Sequence, residues 1–462
     1  MIKKLLLGAA LLVPGLAYAG NPSANLSVQI VPAMPGGGSS FDVSGQVVAG
    51  SGSANSSVGL NTVDISGSNV FTYNGQQYLC YYGPSDPPRP LFLVRNLNNG
   101  AVSFYDPKLP AISSDDPHRV CAIAVDVNGY IHLSYGQHAN PLTYYRSNSP
   151  GNPGSFTAHS MLGGTPETEV TYPFFIVNGS TGALYFTFRY GTSGNGDQYF
   201  YSYNPMNFSW SAASGTGPAG LVIHDMPNPS SPYLNGTPKW DSAGRLWFNW
   251  QEFDGGAAHD QYLMGWTGTS FVTPAGARQA IPATSSNISP VLSISTDAGL
   301  VDQNEFAIGA DGVFFIPYQR NDANGMAQIW VAENSSGSFV EHQLTSLTSN
   351  INNVCSAGAT GCSSNAEVFT SSSGNTYVVY TDVFVSPSQG IVAFQSSDHF
   401  QSFTASPLFS EYMPNFEIRA DPSRLQQGIV SFLLMDENEP QYGFDYSFQN
   451  AGQMMMADWM LQ

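Results

Sequence analysis

Apolar and aromatic residues alternate with small polar ones in short runs, and each run follows a glycine. The runs read QQYLCYYG after Gly75, YIHLSYGQ after Gly129, ALYFTFRYG after Gly182, RLWFNWQ after Gly244, VFFIPYQR after Gly312, NTYVVYTD after Gly374 and IVSFLLMD after Gly428. A period of two predicts half-buried strands rather than helices. Asn74, Asn128 and Asp311 stand directly before their glycines, the chemistry of tight turns that need a positive φ. The glycines are spaced by 54, 53, 62, 68, 62 and 54 residues. Each interval has room for several short strands, so the pattern predicts an all-β fold, a seven-bladed β-propeller in a single domain. A β-helix would repeat at a much shorter interval, and a sandwich would not repeat seven times.

The ends of the chain read differently. Lys3 and Lys4, an apolar run over residues 5–16 and Ala17-Tyr18-Ala19 predict a signal peptide over 1–19, cleaved near Ala19, and hence a secreted or periplasmic protein. Residues 20–58, rich in Gly, Ser, Asn and Pro, predict a flexible lead-in with one strand at 26–31, leaving 59–462 as the propeller.

Composition narrows the partners. Charged residues are 10% of the chain, against about 25% in a typical soluble domain. The 14 Lys+Arg face 33 Asp+Glu, a net charge of −19 that repels nucleic acid. Loss of 1–19 removes two lysines and no acid, giving −21. Beyond the leader no stretch is apolar enough to span a membrane, and a monomer is expected.

The repeat also supplies a coordinate system. If the strand before each glycine lines the channel, residues about ten before it and seven to nine after it meet at one mouth. Those positions hold His118, Tyr172 and Tyr233 before the turns, and His138, Arg189, Gln251 and Arg320 after them. Arg and His gathered locally in an acidic chain imply an anionic ligand. Arg and Tyr are also ordinary propeller-surface residues, so the reading rests on the constellation.

The segment PHRVCAIAVDVNGYIHLSYGQHANPLTYYRS (117–147) is the most specific part of a wider likeness. With VTYPFFI (170–176), LYFTFRYGTSGNGDQYFYSY (184–203) and GRLWFNWQEF (244–253), it resembles the BNR-repeat-like propeller lyases that degrade ulvan. The resemblance implies a secreted polysaccharide lyase that cleaves a sulfated, uronate-containing polysaccharide by β-elimination and leaves 4,5-unsaturated uronate ends. It implies His118, His138, Tyr172 and Arg189 as catalytic residues, with Tyr233 a looser match. Asn140, Gln251 and Arg320 join Tyr233 as expected substrate contacts, Arg320 on geometry alone. Arg189, with Asn140 or His138, would neutralise the uronate carboxylate so that C5 can lose its proton. Tyr172 is one candidate base, since a tyrosine's ordinary pKa of about 10 falls beside an arginine; His118 is the other.

The remaining chemistry is less specific. Cys355 and Cys362, in CSAGATGC, either close a small disulfide or hold a structural zinc with His259 and His342. The family resemblance favours the metal; no organic cofactor is expected. Cys80 and Cys121 are predicted as buried free thiols. His159, His224 and His399 are expected to be solvated, and GTSGNGD (191–197) to be a mobile loop over the cleft. Two alternatives stay open: a propeller glycoside hydrolase using carboxylates such as Glu167, Glu169 and Asp197, and a non-catalytic carbohydrate-binding propeller.

Overall fold

Glycine turns organise the molecule. In the computed structural model, Gly75, Gly129, Gly182, Gly244, Gly312 and Gly374 each lie between the first strands of a sheet, all at positive φ. The structure describes residues 30–31, 43–51, 69–82, 89–112, 119–192, 194–224, 231–253, 260–294, 304–324, 327–346, 366–381, 391–409, 420–425, 427–436 and 453–461. His118, His259, Cys355 and Cys362 lie outside them. Gly182 shows why the turn residue matters: φ is 70°, and a Cβ there would lie 2.3 Å from Val127 Cγ1 in the turn of the neighbouring sheet.

The described strands form seven antiparallel sheets. In chain order the first spans Val70–Tyr73 to Val102–Tyr105, the second Cys121–Val125 to Phe156–Ala158, and the third Val170–Val177 to Leu221–Ile223. The fourth runs from Ser231–Leu234 to Arg278–Gln279, the fifth from Ala307–Ile308 to Val340–Gln343, and the sixth from Ala366–Thr370 to Thr404–Phe409. Adjacent sheets touch in sequence: Val70–Tyr73 meets Cys121–Val125, which meets Val170–Val177, and Ala307–Ile308 meets both Lys239–Trp240 and Ala366–Thr370. The result is the propeller arrangement that the repeat predicts.

The seventh sheet closes the ring with both ends of the chain. Its order is Ile30–Val31, Val43–Ser51, Gln453–Met460, Ile429–Asp436. Nine residues of the expected lead-in are therefore a sheet strand, with Val43 opposite Trp459 and Val47 opposite Met456. Gly428 precedes Ile429–Asp436, at an edge of the described sheet. Trp459 packs its indole 5.0 Å from the ring of Tyr377 in the sixth sheet. On the other side Asp458 accepts from Arg95 of the first sheet at 2.8 and 2.9 Å. Arg424 Nη1, at 2.6 Å, and Ser431 Oγ, at 2.7 Å, complete this clasp.

Aromatic residues fill the spaces between sheets. His132, Tyr144, Phe175, Tyr203 and Trp210 meet between the second and third. Phe200, Phe248, Trp266 and Phe271 meet between the third and fourth. Such pairs favour tilted and edge-on contacts, which lock neighbouring sheets in register.

Cys80 and Cys121 are not free thiols. They form a disulfide with a Cα–Cα distance of 6.1 Å, joining the second strand of the first sheet to the first strand of the second. Both are fully buried, on facing sides of adjacent sheets. The bridge closes a loop with a sequence separation of 41. Loss of it, by reduction or by Cys80→Ala with Cys121→Ala, is expected to lower unfolding free energy by about 2–4 kcal/mol. Urea unfolding with and without reductant measures this, and coincident curves for wild type and the double variant would count against the bridge.

Candidate active site

The site is assembled at one end of the interface between the third and fourth sheets. Thr171 pairs with Arg189 and Phe174 with Thr187, so Tyr172 and Pro173 together oppose the single residue Phe188. This is a β-bulge, and proline fits it because the ladder needs no N–H there. Without the extra residue Tyr172 would share the face of Phe188, which packs toward the second sheet. The bulge, with Tyr172 at φ 54°, moves it onto the face packed against the fourth sheet. An aromatic residue held at positive φ is strained backbone of the kind found at functional sites.

Arg189 lies beneath this bulge, 1% exposed. Its guanidinium carbon is 4.8 Å from the ring centroid of Tyr172 and 4.7 Å from that of Tyr233. The two tyrosine rings are 5.9 Å apart. Arg189 Nε and Nη1 are buried without a hydrogen-bond partner. An unpaired buried cation is costly, by several kcal/mol, and an anion on those nitrogens relieves it. The stem of Arg189 fits because position 196 is glycine: a Cβ there would lie 3.3 Å from Arg189 Cγ and 2.6 Å from Tyr190 O.

The second sheet contributes a loop. His138 N–H donates to Asn140 Oδ1 at 2.7 Å, and Asn140 Nδ2 donates to Gly136 O at 3.3 Å. Asn140 O accepts from Val170 N–H at 2.8 Å, and Ala139 N–H donates to Thr171 Oγ1 at 2.8 Å. The loop carrying His138 is thus stitched to the start of the bulged strand. On the fourth sheet Tyr233 pairs with Gln251, and Gln251 with Gln261. Gln251 is 2% exposed; Gln261 Nε2 reaches its Oε1 at 3.5 Å, and Asn235 bonds both Asn249 and Gln261. This amide layer supports Tyr233 from below.

Tyr172, Arg189 and Tyr233 therefore converge as the repeat arithmetic predicts, and Asn140 and His138 flank the strand that carries Tyr172. Arg320 is engaged otherwise. Its Nη1 lies 2.5 Å from Glu341 Oε2 and its guanidinium 4.2 Å from the Trp330 ring, so its charge is already matched. Of the expected zinc set, His342 alone falls in the described residues; its Nε2 lies 3.6 Å from Glu333 Oε1. Among the described residues no three His, Cys, Asp or Glu side chains are placed to hold a metal.

Other expectations need correction. The described residues of GTSGNGD are mostly the paired end of a hairpin: Tyr190 opposes Asp197, Gly191 opposes Gly196 and Thr192 opposes Asn195. His224 is exposed and His399 partly exposed, as expected, and each also bonds a carboxylate: His224 Nδ1 lies 2.9 Å from Asp197 Oδ1, and His399 Nε2 lies 2.8 Å from Asp311 Oδ2. Glu167 accepts N–H bonds from Leu162 and Gly163, each at 2.8 Å. Burial pushes its carboxyl above the usual range despite those bonds. Glu167 thus braces a loop and Asp197 bonds to His224; with Glu169 close by in the chain, the two-carboxylate alternative stays open. Thr171 and Gly196 escaped the sequence reading; the proline inside VTYPFFI was the available signal for the bulge.

The profile of the BNR repeat-containing family matches residues 76–347. The chain belongs to the BNR repeat-containing family. No curated protein matches the sequence. Among solved structures, an ulvan lyase described as a new family of polysaccharide lyase superposes with a TM-score of 0.56 at 14% identity, covering 82% of this chain and 88% of that one. The same kind of enzyme bound to -[GlcA(1-4)Rha3S]- gives 0.58 at 14% identity, over 85% and 93% of the two chains. These likenesses establish a shared fold for this BNR family member. Among the described residues no helix is long and apolar enough to cross a membrane.

Proposed function

We propose that the protein is an exported polysaccharide lyase that acts on ulvan or a closely related sulfated uronan. The observation that carries this reading is Arg189, buried beside two tyrosine rings that also touch each other, with Nε and Nη1 unpartnered. Such a cation suits a planar carboxylate, which accepts in-plane N–H bonds while the two rings pack beside the guanidinium. The solved ulvan lyase with a bound glucuronate–rhamnose sulfate fragment supports the substrate class.

The chemistry follows from the residues. Arg189 neutralises the uronate carboxylate, and negative charge develops there as C5 loses its proton. The Tyr172 phenolate takes that proton. The C5 electron pair forms the C4–C5 double bond, the bond from C4 to O4 breaks, and O4 leaves with a proton returned by the same phenol or by His138. Atoms and charge balance without an external oxidant or metal. No step is routed through zinc; of its expected ligands only His342 lies among the described residues.

Incubation of the purified protein with ulvan, desulfated ulvan and a neutral glucan tests the proposal. The expected result on the acidic polymers is a rise in the ultraviolet absorbance of a conjugated unsaturated uronate, matched by new reducing ends. Reducing ends without that absorbance would identify a hydrolase. Binding with neither product would identify a carbohydrate-binding propeller.

A further inference from the structure

On the face opposite Arg189, turns of the second and third sheets meet in a cluster outside the candidate active site. Asn128 Nδ2 donates to Pro205 O at 3.1 Å and ties the two turns together. Beside them Met206 is 87% exposed and Phe208 42% exposed, and Phe208 sits at φ 57°. The rings of Tyr130 and Phe208 meet edge to face at 5.5 Å. Arg146 lies over both, its guanidinium carbon 4.3 Å from the Phe208 centroid and 5.6 Å from that of Tyr130.

Arg146 is partly exposed and has no carboxylate at ion-pair distance among the described residues. Its Nε has no hydrogen-bond partner, and Nη1 makes a 3.4 Å contact to the Tyr203 hydroxyl. Asp126, in the turn before Tyr130, is 1% exposed. Its oxygens are used by the N–H groups of Asn128 and Tyr130 and by His132. In a chain with 33 acidic residues and 14 Lys+Arg, a surface cation left to two aromatic rings is unusual.

We propose that Tyr130, Arg146 and Phe208 form a second carbohydrate-binding platform for a sugar ring that carries an oxyanion. The apolar face of a pyranose stacks on an exposed aromatic ring, and the guanidinium donates to a sulfate or carboxylate on the same ring. The platform deepens the lyase reading, on which its choice of polymer rests. Placed on the opposite face, it would hold a long chain near the active site by effective concentration rather than by added catalytic contacts.

Retardation in native gels containing ulvan, desulfated ulvan or neutral dextran tests the platform with wild type and with Phe208→Ala, Arg146→Gln and Arg189→Ala. Ulvan should retard wild type and Arg189→Ala. Phe208→Ala and Arg146→Gln should bind about three- to tenfold more weakly, with melting temperatures unchanged for the exposed Phe208→Ala. Turnover of a short uronate oligosaccharide by Phe208→Ala should match wild type. Retardation lost on desulfation assigns the oxyanion to sulfate, and retardation kept assigns it to the uronate; either supports the platform. Absence of wild-type retardation, or equal retardation of wild type and both platform variants, overturns it. If no unsaturated product forms but the platform variants still lose retardation, the lyase reading alone fails.

Discussion

Tyr172→Phe is expected to lower kcat on a uronate polymer by about 10²–10⁴-fold, the usual weight of a positioned proton-transfer group. Only the phenol oxygen is removed, so the ring contacts to Arg189 at 4.8 Å and to Tyr233 at 5.9 Å persist. The unfolding midpoint should therefore stay within experimental error of wild type. KM should change little, because the carboxylate is held by Arg189. Tyr233→Phe provides the internal comparison: it keeps the second ring beside Arg189 and should cost less than Tyr172→Phe. Single-turnover rates on a uronate oligosaccharide measure both. More than a third of wild-type kcat in Tyr172→Phe would remove Tyr172 from the chemistry and shift the base to Tyr233 or His118.

Asp458→Asn is expected to be the most damaging single change to stability. The carboxylate joins Arg95 of the first sheet to Arg424 and Ser431 of the seventh. Removing its charge leaves two arginines facing each other in a largely buried site, at a cost of about 3–5 kcal/mol. Burial alone would raise the Asp458 carboxyl, but the charge of Arg95 and hydrogen bonds from Arg424, Arg95 and Ser431 outweigh it and hold the group below the usual range. A carboxyl depressed in the folded state adds stability above its unfolded pKa of about 3.9 and loses it as pH falls through the folded value. The free-energy gap between wild type and Asp458→Asn should thus be full at neutral pH and narrow below about pH 4. A gap that is constant down to pH 2 would show that the clasp does not depend on this charge.

Legibility in the sequence followed the range of the forces involved. Positive-φ turns such as Asn74-Gly75 announce themselves locally, because few residues tolerate that backbone, and they carried the whole repeat. Counting from those turns was enough to bring Tyr172, Arg189 and Tyr233 together. The bulge is harder to read: one extra residue reverses which face Tyr172 occupies, and only Pro173 hints at it. Side-chain contacts between strands were illegible. Nothing near Cys80 names Cys121 as its partner, and nothing in PYQR reveals that Glu341 and Trp330 occupy Arg320. Strand 43–51 was hidden for the same reason, since its partner lies at the far end of the chain and its surroundings are poor in apolar residues.

That far partner sets an order of events during biosynthesis. A ribosome delivers Val43–Ser51 long before Gln453–Met460, so one edge of the early strand must wait unpaired while six sheets are made. Throughout that interval it carries open backbone donors and acceptors, the template for mispairing with a neighbouring nascent chain. A chain that stops short of residue 453 leaves this edge exposed and lacks the carboxylate that bridges Arg95 to Arg424. The cell therefore has a simple signature by which to tell a chain that carries residues 453–460 from one that lacks them: only the former covers the second edge of Val43–Ser51.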